Sequence, residues 1–243
     1  TSVHIQNPHT RLAAFDLIAP PRHDHLKGPN VIETEAALHR ITNQRLKEAA
    51  DQLQSSLSHL PRPLVAVLIG GDNSCYRLTQ KTIIALAKQL KVLCKDFGIG
   101  LVVTPSRRTG DENIQILRQS LEGLPAEVWD FQGSNPYFGF LGLADSFIVT
   151  CDSINMVTET CATGKPVDVV HLDGGNRKFN EFHDNMRVAG YTRTFKGQLE
   201  NWSYQLADDT TNVAKRIRQL LRSKGVLDGT DSVSYTHLRA HET

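Results

Sequence analysis

The sequence predicts an α/β protein built on a Rossmann-like parallel sheet with helices on both faces. Two observations predict it. Apolar runs such as Leu64–Ile69 and Phe147-Ile148-Val149 are too short for free-standing helices and fit strands covered on both sides. After Leu64 such runs alternate with segments whose apolar residues recur at spacings of three and four, joined by short loops. Repeated βα units of this kind imply parallel strands.

The elements follow in order. Val3–Ile5 and residues 15–18 are strand-like but too close together to hold an intact domain. Residues 20–34 read as a loop followed by a short strand. A helix starting at Thr42 or Asn43 carries Arg45, Leu46, Ala49, Leu53 and Leu57. Pro61 and Pro63 then bracket Arg62, and such segments favour extended or turn backbone. A domain boundary is placed there, with residues 1–60 before it and 61–231 after it.

Beyond the boundary come strand Leu64–Ile69, a helix over 79–97 with Ile83, Ile84, Ala87, Leu90 and Cys94 on one face, and a strand over 99–104. A helix starts at Asp111, with Thr109 and Glu112 at capping-box spacing. A strand over 127–130, a helical piece Tyr137–Leu143 and strand Ser146–Thr150 follow. Ser153 opens the next helix, which carries Ile154, Val157 and Cys161 and stops at Gly164 and Pro166. A strand over 167–171, a helix over 179–188 and an amphipathic helix around Val213, Ile217, Leu220 and Leu221 complete the pattern. Residues 232–243, SVSYTHLRAHET, resemble the translation of a sequencing-library adapter and are set aside as a scar, His237 and His241 with them. With no initiating Met and a strand already under way at Val3, the chain is expected to be truncated at both ends.

Composition is that of a soluble globular protein, 40% hydrophobic and 22% charged. A net charge of +1 argues against a nucleic-acid-coating surface or an acidic tail. No apolar run reaches membrane-spanning length and no signal peptide is visible. Cys75, Cys94, Cys151 and Cys161 form no C-x-x-C pair and read as reduced, small core residues, consistent with cytoplasm.

Parallel strands gather their carboxyl-end loops on one edge, where open α/β sheets bind ligands. Four polar loops fall there: GGDNS with Gly70, Gly71, Asp72 and Asn73; PSRRTG with Ser106, Arg107, Arg108 and Thr109; CDSIN with Asp152, Ser153 and Asn155, followed by Met156 and Glu159; and LDGGNRKF with Gly174, Gly175 and Lys178. Glycines let backbone amides approach an anion, helix N-termini add a favourable dipole, and arginines bind phosphate bidentately. Taken singly each has a plain reading. Gly70-Gly71 is a tight turn without P-loop or G-x-G-x-x-G spacing, Asp152 and Ser153 are a helix cap, and Met156 is core. Arg107, Arg108, Lys178 and Glu159 are solvated charges on that reading, or Glu159 accepts from a ribose. Their convergence on one edge points instead to a site for a phosphorylated ligand. No D-x-D, H-E-x-x-H or clustered His/Cys set appears, so no metal is expected. His23 and His39 read as surface or structural. Asp24 and His25 are placed facing the gap between the two segments, where either could act as general base.

RPLVAVLIGGDN, VVTPSRRTG, NPYFGFLGLADSFIVTCDSINMVTETCATGKPV, GGNRKF and, upstream, HDHLKGPNVIETEAALHRIT resemble the mitochondrial fission ELM family and its bacterial relatives. The resemblance covers Thr1 to about Leu221. It implies a glycosyltransferase-B-like architecture, with residues 1–60 the remnant of an amino-terminal Rossmann-like domain and 61–231 the nucleotide-binding domain. It further implies a nucleotide-sugar as substrate, no cofactor, and contacts from Gly70, Gly71, Arg107, Arg108, Ser153, Asn155 and Met156, with Glu159 on the ribose. Three functions stay open: glycosyl transfer to an unknown acceptor, a non-catalytic recruiting module like the fission factor, and the nucleoside-diphosphate-sugar epimerase of the family's bacterial label. A short-chain epimerase is excluded, because no G-x-x-G-x-x-G opens a first strand and no Y-x-x-x-K is present. The resemblance also leaves room for a protein partner and for peripheral contact with the inner membrane.

Overall fold

The apolar runs become strands of one six-stranded sheet in the computed structural model, which describes residues 1–205 and 207–227. In chain order the strands are β1 (Val3–Ile5), β2 (Leu17–Ala19), β3 (Leu64–Ile69), β4 (Tyr76–Arg77), β5 (Gly100–Pro105), β6 (Ala126–Val128), β7 (Ser146–Thr150), β8 (Val167–Val170), β9 (Asp173–Gly174) and β10 (Arg193–Thr194). The helices are α1 (Asn43–Leu53), α2 (Gln80–Phe97), α3 (Asp111–Leu121), α4 (Tyr137–Leu143), α5 (Ile154–Cys161), α6 (Arg177–Val188) and α7 (Asp209–Ser223).

The sheet order is β10-β8-β7-β3-β5-β6, and every pair in it is parallel. β3 sits at the centre with all six residues buried, which is why it reads as an unbroken apolar run rather than an alternation. Its odd-numbered side chains, Val65, Val67 and Ile69, join a core with Leu86, Leu90 and Leu117 of α2 and α3. The even-numbered ones, Leu64, Ala66 and Leu68, face a second core with Phe140 of α4, Val157 of α5 and Phe182 of α6. Cys94, Cys151 and Cys161 are buried in these two cores and Cys75 packs at the margin, the small-core reading expected of them.

Residues 1–34 form a separate two-stranded parallel pairing of β1 with β2. The short strand expected before Thr34 reduces to isolated bridges, Ile18 with Val31 and Pro21 with Thr34. α7 and the residue that caps its end touch this segment and the chain just after it: Asp209 Oδ2 accepts the Glu35 N–H at 2.7 Å, and Lys224 pairs with Asp16. Three two-residue strands, β4, β9 and β10, were too short to leave a periodic signal. Residues 228–231 and the adapter-like stretch lie outside the described residues.

Candidate functional site

The loops after β3, β5 and β7 converge on Asp152, two residues past the end of β7. Its side chain is fully buried. Oδ1 accepts the Thr150 hydroxyl at 2.6 Å, and Oδ2 accepts the Gly71 N–H at 3.0 Å and lies 2.9 Å from Arg108 Nη2. Thr150 in turn accepts the Gly70 N–H at 2.8 Å, and the Asp152 carbonyl accepts Asn73 Nδ2 at 3.0 Å. A buried carboxylate is tolerated here because a guanidinium and two further donors match it.

This brace explains the glycine pair. A Cβ on Gly70 would stand 2.1 Å from Asp152 Oδ2, so a side chain there would displace the carboxylate. The amides of Gly70, Gly71 and Asp72 already donate, to Thr150, Asp152 and, at 3.2 Å, the Arg108 carbonyl. This corrects the expectation that they lie open to cradle an anion. Asp72 and Asn73 shape the same turn: Asp72 Oδ1 accepts the Leu78 N–H at 2.8 Å, and Asn73 Oδ1 accepts those of Cys75 and Tyr76 at 2.7 and 2.8 Å. Arg108 is turned toward Asp152 with 42% of its side chain still exposed, and Arg107 beside it is exposed.

Ser106 and Thr109 both donate to the Gly70 carbonyl, at 2.9 and 2.6 Å. They form a capping box around the 3-10 turn Arg107–Thr109. The expected pairing of Thr109 with Glu112 is therefore replaced, and α3 starts at Asp111 behind Gly110, an N-cap position with no side chain to bond. Ser153 does cap α5, accepting the Met156 N–H at 3.3 Å. Asn155 is exposed on the first turn of α5, whereas Met156 packs against the core.

Glu159 Oε2 accepts the Tyr137 hydroxyl at 2.8 Å, so its carboxylate is engaged within the protein. Burial, then the neighbouring carboxylate, pushes the Tyr137 pKa far above its ordinary value. Nothing in the spacing of residues 137 and 159 announces this pair. Burial also lowers the pKa of His39, which senses the charge of Glu159.

Gly174 pairs with Tyr76 in the β4–β9 ribbon, and the Gly175 N–H donates to the Cys75 carbonyl at 2.8 Å. The ribbon binds the loop after β3 to the loop after β8. α6 begins at Arg177, two residues earlier than expected, because the Asn176 side chain accepts the Phe179 N–H at 3.0 Å and caps it. Lys178 thus sits on the first turn of α6, where its Nζ lies 2.6 Å from Asp24 Oδ1. Asp24 and His25, expected to face an open gap, are both paired with α6; His25 Nε2 meets the Glu181 carboxylate at 2.7–2.8 Å. His23 is buried edge-on against Phe182, the structural role expected, and burial lowers its pKa. Between this segment and the first turns of α5 and α6 opens a cleft of about 160 Å³, lined in part by Pro21, Asp24, Leu38, Ile154, Asn155 and Lys178.

One feature of this edge escaped the sequence reading. The loop after β6 carries Trp129 and Phe131 with ring centroids 4.7 Å apart, and Phe131 holds a φ of 67°, uncommon for a bulky residue. Nothing in the spacing of residues 129 and 131 announces that the two rings come together. Among the described residues no helix is long and apolar enough to cross a membrane, and no three His, Cys, Asp or Glu side chains are grouped to hold a metal ion.

Comparison with known proteins gives the chain its relatives. It is 33% identical over 250 residues to the mitochondrial fission protein ELM1 of Arabidopsis thaliana, covering 92% of this chain and 58% of that protein. It is 27% identical over 210 residues to the uncharacterized protein RP120 of Rickettsia prowazekii, covering 83% of this chain and 58% of that one. The chain thus spans little more than half the length of these relatives. Among solved structures, MurG of Acinetobacter baumannii aligns over 88% of this chain and 56% of its own, with 15% identity and a TM-score of 0.46. A family 9 glycosyl transferase of Veillonella parvula aligns over 77% and 54%, with 13% identity and a TM-score of 0.42. The sequence profile described as Mitochondrial fission ELM1 matches residues 1–221, and the chain belongs to that family.

Proposed function

We propose that this chain binds a nucleoside-diphosphate-sugar at the carboxyl edge of its sheet and takes part in glycosyl transfer to an acceptor, in a glycosyltransferase-B-like architecture. Residues 61–231 would be the nucleotide-binding domain and 1–60 the remnant of its partner domain. One observation carries the reading: three loops are locked to Asp152 in a way that holds the half-exposed Arg108 beside the N-terminus of α5, with Arg107 exposed next to it in the chain. A fixed cation and a helix dipole at one place suit a diphosphate, and they would stabilise the charge that builds on it as it departs. Trp129 and Phe131 offer a stacking surface for the base.

Titration calorimetry of UDP, GDP, ADP and TDP and their sugars tests this. Saturable binding of one nucleotide is expected, weakened roughly tenfold or more in Arg107→Ala by loss of a charge-assisted hydrogen bond. Arg107 is the cleaner probe, since Arg108 also holds Asp152. A second reading, a non-catalytic recruiting module that acts through a protein partner, is compatible with the fission role named for the Arabidopsis relative. Absence of binding across the panel by the folded chain would leave that second reading standing alone.

A further inference from the structure

α2 buries Ile83, Leu86, Ala87, Leu90 and Leu93 in one core, so its opposite face is held rigidly toward solvent. At 3.6 residues per turn, Lys81, Lys88, Lys91 and Lys95 fall with Ile84 and Val92 inside about 100° of that face. All six are exposed, Ile84 by 41% and Val92 by 45%, and Phe97 stands 62% exposed where the helix ends. These three are half of the six large apolar side chains exposed among the described residues, so apolar surface is gathered here rather than scattered. None of the four lysines has an ion-pair partner among the described residues. The one carboxylate of α2, Asp96, lies outside the arc. In a chain whose net charge is +1, four unbalanced cations on one helix face make a local positive field. Lys81, Lys88 and Lys95 recur every seven residues, about 10.5 Å along the axis and close to the Debye length, so they act on a partner together. Residues 1–34 meet α6 on the other face of the sheet, which leaves this stripe clear of them.

We propose that this face of α2 docks on the surface of an anionic lipid bilayer. The four ammonium groups lie among the lipid phosphates and carboxylates, and Ile84, Val92 and Phe97 enter the headgroup region between them. Lysine suits the task because its long apolar stem lets the charge rise to the phosphates while apolar neighbours go deeper. Composition argues against a protein partner. Protein interfaces are enriched in arginine and depleted in lysine, whereas this stripe holds four lysines and no arginine. Lysine is a point charge without arginine's bidentate fork, which matches a fluid field of anions better than carboxylates at fixed positions. Three apolar side chains insert too little surface to anchor the chain alone, so binding is reversible and mainly electrostatic. The inference goes beyond the nucleotide reading and does not depend on it.

Flotation of the full chain with vesicles of phosphatidylcholine, alone or with about one-third phosphatidylserine, tests it. Binding to the anionic vesicles only is expected, and its loss as salt rises from about 0.1 M to about 1 M. Each lysine near such a surface strengthens binding about fivefold, so Lys88→Gln with Lys95→Gln should weaken it about 25-fold. Both positions are exposed and glutamine forms helix about as well as lysine, so the fold is kept. Lys215→Gln with Arg216→Gln removes the same charge from exposed positions of α7 and should bind as the wild type does. No binding to the anionic vesicles overturns the proposal. Equal weakening by the α7 pair also overturns it, because net charge rather than the stripe would then be read. Binding to a poly-glutamate peptide but to neither vesicle would assign the face to an acidic protein and overturn the lipid surface.

Discussion

Asp152→Ala is the most informative single perturbation of the carboxyl edge, and its cost can be worked from the contacts. Removing the carboxylate strips two buried donors of their acceptor, the Gly71 N–H and the Thr150 hydroxyl. Each unsatisfied donor costs about 1–3 kcal/mol. The Arg108 pair adds little, because its guanidinium is 42% exposed and can rehydrate. The expected loss is about 3–5 kcal/mol, a large share of the roughly 5–15 kcal/mol that holds a typical domain folded. Asp152→Asn keeps one acceptor and the volume but turns an amide toward a donor, for a loss of about 1–2 kcal/mol. Equilibrium urea unfolding reads both, and the alanine variant should lower the midpoint by about 1–2 M at an ordinary slope. Because the brace sets the loops after β3, β5 and β7, the proposed function further predicts that the alanine variant loses nucleotide affinity. An alanine variant within about 0.5 kcal/mol of wild type would refute the brace as the organiser of this edge.

Other expectations follow from single contacts. Burial in β8 raises the Asp168 carboxyl to about 7, above its unfolded value of about 3.9, so the native state binds the extra proton between those pH values. Its contribution to stability is therefore fully present below about pH 4, declines as pH rises to about 7, and is level above that, with about 4 kcal/mol as the ceiling. Asp168→Asn should flatten this slope in thermal melts, and an unchanged slope would refute the assignment. Gly142 of α4 lies against α1, where an added Cβ would stand 2.5 Å from the Leu46 carbonyl oxygen. Gly142→Ala should cost about 1–3 kcal/mol in the same unfolding assay, and a neutral result would mean that the two helices part freely. Tyr137→Phe removes the hydroxyl donated to Glu159 and should cost about 1–2 kcal/mol; no change in melting would show that pair to be idle.

The sheet was legible because its signals are local. β3 and β7 appear as apolar runs, their bounds match those read from the sequence, and Thr42, Thr79 and Ser153 cap the helices expected to start beside them. β4, β9 and β10 were not legible, since two residues carry no period and their pairing depends on where other loops end. Residue types at the candidate site were legible as well, but not their partners. Gly70-Gly71 announced a close backbone approach, yet what approaches is a carboxylate about eighty residues away rather than a ligand. Arg108 and Lys178 read as free cations, and each instead meets a buried aspartate.

By itself, then, the sequence determined the α/β class, the parallel sense of the strands, the edge on which the polar loops collect and the family. These depend on periodicity within ten or twenty residues and on motifs that survive as strings. Only the tertiary structure decided that Asp152 is a buried brace, that Glu159 is held by Tyr137, and that Asp24 is buried against Lys178. Burial and pairing are properties of segments brought together from distant parts of the chain, and a charged residue carries the same letter whether its partner is solvent, another side chain or a ligand.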